Sequence, residues 1–489
     1  MANGWDQDIN LSMLTDFYEL TMSNAYYKQG MVNTTAVFDM FFRDIPERGG
    51  FAIMAGIEQL VEYLSNLHFS EQDLAYLERL GYFDPGFLDY LRHFKFECDV
   101  WAIPEGMPIF PGEPIVKVKG PIIQAQMVET MVLLTINHQS LIATKSSRIV
   151  RAAEGRPIME FGARRAQGSD ASILGARAAY IAGVAGTSCT VAGEIFKIPA
   201  LGTMAHSWVQ AFESEFAAFA AYATAYPDEC QLLVDTYNTL RCGVPNAIRA
   251  SREVLEPRGK RLKGIRIDSG DLAYLSIRSR EMLDEAGLTD CKITVSSAID
   301  EYLIRDLLHQ GAKVDSFGVG ERLITSRSEP VFSGVYKLSA IEAKGVMEPR
   351  MKLSDNPEKV TNPGEKELYR LYDRDTGQVE ADLITLLGEK VDDTKPLTIF
   401  DPLHTWKRKT LANFRAEPIL KPLFRKGVFC TEKRDIEEIR SFCQGQLETL
   451  WNSLKRFENP QEYYVDLSVD LWDLKETFLR QESCGWGRP

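Results

Sequence analysis

Basic residues are in short supply: 56 lysines and arginines face 69 aspartates and glutamates over 489 residues, a formal net charge of -13. That deficit excludes a nucleic-acid surface, which needs a basic stripe to replace counterions along phosphate. Small anionic ligands stay possible, because a few arginines and backbone N–H groups suffice locally whatever the overall sign. The chain also lacks any apolar run near the roughly 20 residues of a bilayer span, so no membrane segment is expected. Its start, MANGWDQDIN, has neither the basic lead nor the apolar stretch of a secretory signal, and a cytoplasmic location is the expectation. The eight cysteines stand singly, without the close pairs of zinc or redox motifs, so reduced thiols and no zinc site are expected.

What is present is an ordinary globular balance, 45% hydrophobic and 26% charged, in a chain long enough for two or three cores. Leu11, Leu14, Tyr18, Met22 and Ala25 recur at spacings of three and four before Gly30, which predicts an amphipathic helix with a glycine stop. TAVFDMFFR predicts a strand, and mixed short elements continue through residues 1–125, the first domain segment. Over 126–340 short apolar strands alternate with amphipathic helices. The strand candidates are PIMEFG, ALGTMAHS, QLLVDTY, GIRIDS, KITVSS and VDSFGVG. Trp208, Phe212, Phe216 and Phe219 form one helical stripe; Leu303, Ile304, Leu307 and Leu308 form another, begun at Asp300 and closed by Gly311. Strand-then-helix repetition implies parallel strands, and about six units favour an irregular, TIM-like parallel α/β barrel over an open sheet. Residues 341–400 read as a β-rich return to the first domain, and 401–489, with RDIEEIRSFCQGQLETLWNSLKRF, as a mostly helical C-terminal extension.

Polar and glycine-rich clusters recur at the C-terminal ends of the barrel strands, where such barrels carry their active sites: EFGARRAQG, GTMAHS, DTY, RIDSGD, SSAID and FGVGER. In the first, Phe161 offers a flat face to an aromatic ring, and Arg164 or Arg165 a bidentate fork for a carboxylate or phosphate; a plain pair of surface arginines is the alternative. His206 at a strand end is a candidate acid, base or nucleophile, weighed against a packing histidine, with Ser207 and Thr203 adding hydroxyls. Arg266, Asp268 and Asp271 surround a Ser-Gly turn, suited to ribose hydroxyls, to Mg2+ or to positive charge on a sugar. The simpler reading there is a helix cap at Asp268 or Ser269. FGVGER is a glycine turn that lets backbone N–H groups approach a phosphate, or merely a tight turn. A phosphate cradle, carboxylates near a sugar, arginines for an anion and a flat aromatic face together describe phosphoribosyl transfer.

LTDFYELTM, EFGARRAQG, GTMAHSWV, IRIDSGDL, GVYKL and PEKVTNPG, in this order and spacing, resemble the nicotinate phosphoribosyltransferase family over most of the chain, thinning after about residue 400. The resemblance implies an α/β sandwich domain packed on an irregular α/β barrel, usually as a homodimer. It implies conversion of nicotinate and 5-phosphoribosyl pyrophosphate to nicotinate mononucleotide and pyrophosphate, coupled to ATP hydrolysis in NAD salvage, with Mg2+. Residue by residue, His206 is similar to the histidine that ATP phosphorylates, and Tyr18 to a tyrosine given by the neighbouring subunit to stack with Phe161 on the pyridine. Arg164 and Arg266 resemble the arginines near nicotinate and the phosphates, Thr203 lies near the ring, Asp268 serves the ribose or its metal, and Gly318 and Gly320 face the 5'-phosphate.

Two positions depart from the pattern. Glu321 stands where many relatives have threonine or glycine after the phosphate turn, which leaves only backbone contact at Gly320 for an anion. Ser188, in AGTSCTVAG, stands where the similar nicotinamide enzyme has an aspartate; its absence favours an acid substrate over an amide. Quinolinate phosphoribosyltransferase is smaller and lacks the His206 motif, and a barrel that only binds sugar phosphate or nucleotide has no use for a phosphorylatable histidine.

Overall fold

The computed structural model describes residues 10–356 and 359–485, which gather into two compact units. One runs to Ser140 and resumes at Val331; the other is Leu141–Pro330. The crossings thus fall at 140 and 330 rather than 125 and 340, the first of them inside the helix Glu129–Ala152. No helix among the described residues is long and apolar enough to cross a membrane.

The unit Leu141–Pro330 is built on six parallel strands: Ile158–Glu160, Gly186–Thr187, Gln231–Leu233, Gly264–Ile267, Lys292–Ser297 and Ser316–Val319. Their order across the sheet is second, first, sixth, fifth, fourth, third, so the last strand pairs with the first. Ile158, Leu232, Ile265, Ile267, Val295 and Phe317 are all buried, as strands covered on both faces require. The ladder is open between the second and third strands. ALGTMAHS, expected as a strand, contributes there a single bridge from Ala200 to Thr187 and is irregular up to Ala205. Pro199 lacks the N–H a ladder needs and Gly202 lacks a side chain to pack.

Helices pack beside these strands. Asp300 caps Glu301–His309 by accepting from the Leu303 N–H at 2.9 Å, and Gly311 follows at φ +82°. The aromatic stripe from Trp208 to Phe219 is not one helix, however. Ser214 accepts from the Ala217 N–H and starts Glu215–Ala225 afresh, which leaves His206–Gln210 as a short separate helix.

In the other unit, Thr35–Phe42 lies inside a seven-stranded antiparallel sheet between Gly334–Ala343 and Val116–Pro121. The segment after residue 401 is no helical extension: Arg408–Leu411, Phe414–Pro418, Lys421–Arg425, Val428–Phe429 and Val465–Leu467 are strands, beside the helices Ile436–Glu448 and Val469–Gly485. Lys421–Arg425 pairs with Asp99–Ala102 in the seven-stranded sheet, and Val465–Leu467 joins a second, four-stranded sheet. Leu411 and Phe414 pack with Leu371, Leu383 and Ile399, so this segment shares its unit's core.

The first helix corrects a further expectation. It spans Phe17–Lys28 after a 3-10 turn at Leu11–Met13, and Leu11, Leu14 and Tyr18 are 44%, 43% and 46% exposed. The face that packs inward carries Glu19, Leu20 and Ser23. Glu19 accepts from the Thr130 N–H at 3.1 Å, the Thr130 hydroxyl at 2.7 Å and the Thr15 hydroxyl. Burial, with Glu129 and Asp16 nearby, raises its carboxyl from 4.5 to about 7 against these hydrogen bonds. A carboxyl raised on folding stabilises fully below its unfolded value, and that contribution is lost as pH rises through about 7. Glu19→Gln is therefore expected to gain in melting temperature relative to the parent between about pH 5 and about pH 8. A difference that does not change with pH contradicts this.

Candidate active site

The parallel sheet places its chemistry where its strands end. Phe161 follows Ile158–Glu160, and its N–H donates to the Val319 carbonyl at 2.8 Å. Its ring lies against Gly318 so closely that a Cβ there would fall 2.5 Å from two ring carbons. At Gly320 a Cβ would meet the Phe161 carbonyl oxygen at 3.0 Å. Gly318 thus first makes room for the aromatic face, and Gly320 for the backbone that carries it. The Arg266 guanidinium lies 5.3 Å from the centre of the same ring, within cation–π range.

Arg266 is tied on three sides. Its Nε donates to Ser296 Oγ at 2.7 Å, one Nη to Thr203 Oγ1 at 3.1 Å and the other to Asp268 Oδ1 at 2.7 Å. Asp268 Oδ1 also accepts from the Ser296 hydroxyl. Burial pushes the Asp268 carboxyl upward, but the Ser296 hydrogen bond, Arg266 and the neighbouring His206 together hold it below the ordinary carboxylate range. It stays ionised at neutral pH.

Asp235 joins this cluster to His206. Its side chain is only 2% exposed. One oxygen lies 3.1 Å from His206 Nε2; the other accepts from the Asp268 N–H at 3.0 Å and the Ser269 hydroxyl at 2.6 Å. His206 opens the short helix His206–Gln210 and is 41% exposed, so its free ring nitrogen is open to a ligand. Phe161, Thr203, His206, Arg266, Asp268, Gly318 and Gly320 therefore form one contiguous set. Asp235, Ser296 and the buried Glu160 belong to it as well. DTY and SSAID mark the first two in the sequence, but a lone aspartate or serine after a strand reads equally well as a helix cap.

Other candidates lie elsewhere. Arg164 is exposed in the 3-10 turn Ala163–Arg165 and forms no hydrogen bond or ion pair with a described residue. Its neighbour Arg165 lies 3.9 Å from Glu321, which also accepts from Arg327 at 2.8 Å. Asp271, rather than Asp268 or Ser269, caps Leu272–Glu285 by accepting from the Tyr274 N–H at 3.0 Å. One of its oxygens is therefore occupied by backbone, which weakens its reading as a sugar or metal ligand. Ser207 is exposed in the first turn after His206, and Ser188 is exposed with its N–H donating to the Glu160 carbonyl at 2.8 Å. Tyr18 belongs to the other unit; burial and the carboxylates of Glu129, Glu19 and Asp16 push its hydroxyl up to about 12.

The fit of Phe161 on Gly318 generates a direct test. Gly318→Ala should drive the ring off its seat and destabilise the protein by about 1–3 kcal/mol, the usual range for overpacking. Thermal melts and a crystal structure of the variant check this; an unchanged melting temperature with the ring in place contradicts it.

Three models of one family match the chain: the nicotinate phosphoribosyltransferase N-terminal domain over residues 13–137, the family itself over 157–377 and the C-terminal domain over 365–475. Nicotinate phosphoribosyltransferase of Bacillus subtilis is 45% identical across 96% of this chain and 95% of its own. The human nicotinate phosphoribosyltransferase is 31% identical across 96% of this chain and 97% of its own. A crystal structure of human nicotinic acid phosphoribosyltransferase superposes with a TM-score of 0.85 at 29% identity, covering 95% of this chain and 99% of that one. The chain belongs to the nicotinate phosphoribosyltransferase family.

Proposed function

We propose that the protein transfers the phosphoribosyl group of 5-phosphoribosyl pyrophosphate to nicotinate, giving nicotinate mononucleotide and pyrophosphate for NAD biosynthesis by salvage, and that ATP hydrolysis drives the transfer through a phosphohistidine at His206. The observation that carries this is the unbroken contact path from Phe161 through Arg266, Asp268 and Asp235 to His206 at the strand ends. A pyridine nitrogen is a weak nucleophile, so catalysis depends on stabilising the departing pyrophosphate and the positive charge that develops on the ribose. Asp268, held ionised, faces the second need. Arg266 and the unpaired Arg164 serve the anionic groups, Phe161 stacks on the pyridine, and the backbone of Gly318 and Gly320 meets the 5'-phosphate. Because a carboxylate only accepts, Asp235 keeps the proton on His206 Nε2 and leaves the lone pair on Nδ1 for the phosphoryl group. Ser188 in place of an acid leaves nicotinate's carboxylate unopposed. The cyclic strand order supports reading this unit as an irregular barrel.

Among the described residues no three His, Cys, Asp or Glu side chains gather as a metal site. Mg2+ commonly needs only one or two carboxylates besides substrate phosphates, and Asp268, with one oxygen held by Arg266 and Ser296, has its other for that purpose. When bound, the ion supplies neutralisation of the pyrophosphate charge. The exposure of the large apolar side chains Leu11, Leu14, Phe17 and Tyr18 supports a homodimer in which Tyr18 serves the partner's pyridine site. A cytoplasmic location accords with this chemistry.

His206→Ala should keep the fold and basal transfer but lose stimulation by ATP; normal stimulation in steady-state assays refutes the phosphohistidine. Asp268→Asn should lower kcat by about 100-fold or more, as for removal of a charge-stabilising group, with nicotinate KM little changed. Unchanged turnover contradicts it. Mixing Tyr18→Ala with His206→Ala chains should restore part of the ATP-stimulated activity, and no recovery in proven mixed dimers counts against shared sites.

A further inference from the structure

Glu160 has no part in the chemistry above, yet it is fully buried at the end of the strand that delivers Phe161. It forms no ion pair with a described residue. Its Oε2 accepts from the Thr187 hydroxyl at 2.6 Å, and its Oε1 accepts from the Gly162 N–H. Thr187 Oγ1 in turn accepts from the Cys189 N–H at 2.9 Å, and the Glu160 carbonyl accepts from the Ser188 N–H at 2.8 Å. One side chain therefore clamps two loops, the one carrying Phe161 and Gly162 and the one carrying Thr187, Ser188 and Cys189. Gly162 is part of the clamp: a Cβ there would lie 2.7 Å from Glu160 Oε1 and 2.6 Å from Ile324.

A carboxylate sealed from water without a cation is costly, and a neutral residue of the same shape would serve packing alone more cheaply. Burial raises the Glu160 carboxyl, while its hydrogen bonds from Thr187 and Gly162 oppose the rise. Both partners are donors, which suits an acceptor on each side and suits an amide on only one.

We propose that Glu160 is a positioning residue that sets the distance between Phe161 and Ser188, and thereby the fit of the site to a planar aromatic acid. The inference rests on the reading of Phe161 as the pyridine platform. In Glu160→Gln, one end of the side chain becomes a donor. If the oxygen stays on the Gly162 N–H, the Thr187 hydroxyl receives donors from both the new side-chain amide and the Cys189 N–H, and its own proton loses its acceptor. The side-chain link between the 187–189 loop and the Phe161 loop is then weakened, and the Ser188 N–H bond to the residue-160 carbonyl remains beside it.

The test is a kinetic cycle on the full-length protein with nicotinate and 5-phosphoribosyl pyrophosphate. Glu160→Gln and Thr187→Val should each raise nicotinate KM by about 10-fold, with kcat and the KM for 5-phosphoribosyl pyrophosphate within about twofold. The double variant should be no worse than the worse single one, because both remove the same link. Thr187→Ser should restore the parent KM. Thermal stability of soluble Glu160→Gln should equal or exceed that of the parent. Unchanged nicotinate KM in Thr187→Val, additive effects in the double variant, or equal losses for both substrates overturn the proposal; Thr187→Val decides alone if the glutamine variant fails to fold. Phe161→Ala separates the two ideas: an unchanged nicotinate KM there removes the platform itself, whereas a raised KM with inert Thr187→Val removes only the clamp.

Discussion

Withdrawing a carboxylate from water costs several kcal/mol unless hydrogen bonds replace the lost hydration, and Asp235 meets that condition with donors from three neighbours. The arrangement of the site follows from how those donors are shared. One oxygen faces the His206 ring, the other fixes the backbone and side chain of the Asp268–Ser269 turn, and so the loops after two different strands are held in one register. Asp268 is then presented to Arg266, and Arg266 to Phe161, without any of these side chains having to find its place alone. Such preorganisation matters for a reaction in which charge must be stabilised as it forms, because dipoles already in place need no reorganisation.

The aromatic end is governed by shape rather than charge. Phe161 sits over a position that accepts no side chain, at the end of the strand Ser316–Val319, and Gly320 next to it leaves room for the Phe161 carbonyl. Glu321 extends this edge. It pairs with Arg165 and Arg327, so the acid that follows Gly320 is offset by cations and brings no unopposed charge to this edge.

Sequence patterns revealed strand ends better than they revealed boundaries. Five of the six expected parallel strands formed where short apolar runs stood, and Asp300 capped its helix as its position foretold. Phe161 and Asp268 were legible because an aromatic or charged residue directly after an apolar strand has few structural reasons to be there; Arg266 stands within its strand, and His206 opens a short helix after an irregular segment, so these two were legible from their neighbours rather than from a strand end. Asp235, Ser296 and Glu160 were not, since their importance lies in partners 30 or so residues away that no local pattern encodes. The helix cap fell on Asp271 rather than on Asp268 or Ser269, because capping and ligand binding call for the same residue types within the same turn. The first helix misled for a different reason: its apolar stripe faces outward, and its inward face is closed by Glu19 through hydrogen bonds to Thr130. After residue 401 strands such as RKTL and KPLFR alternate with too few apolar residues to stand out beside the helical runs.

Because the account places Asp235 between phosphoryl chemistry at His206 and charge stabilisation at Asp268, labelling of Asp235→Asn with ATP carrying a radioactive γ-phosphate tests it most directly. Acid-labile, base-stable phosphate on the parent protein and its near-absence on the variant, together with slower ATP-independent transfer, is the predicted result. Labelling and turnover equal to the parent would show that Asp235 does not join the two.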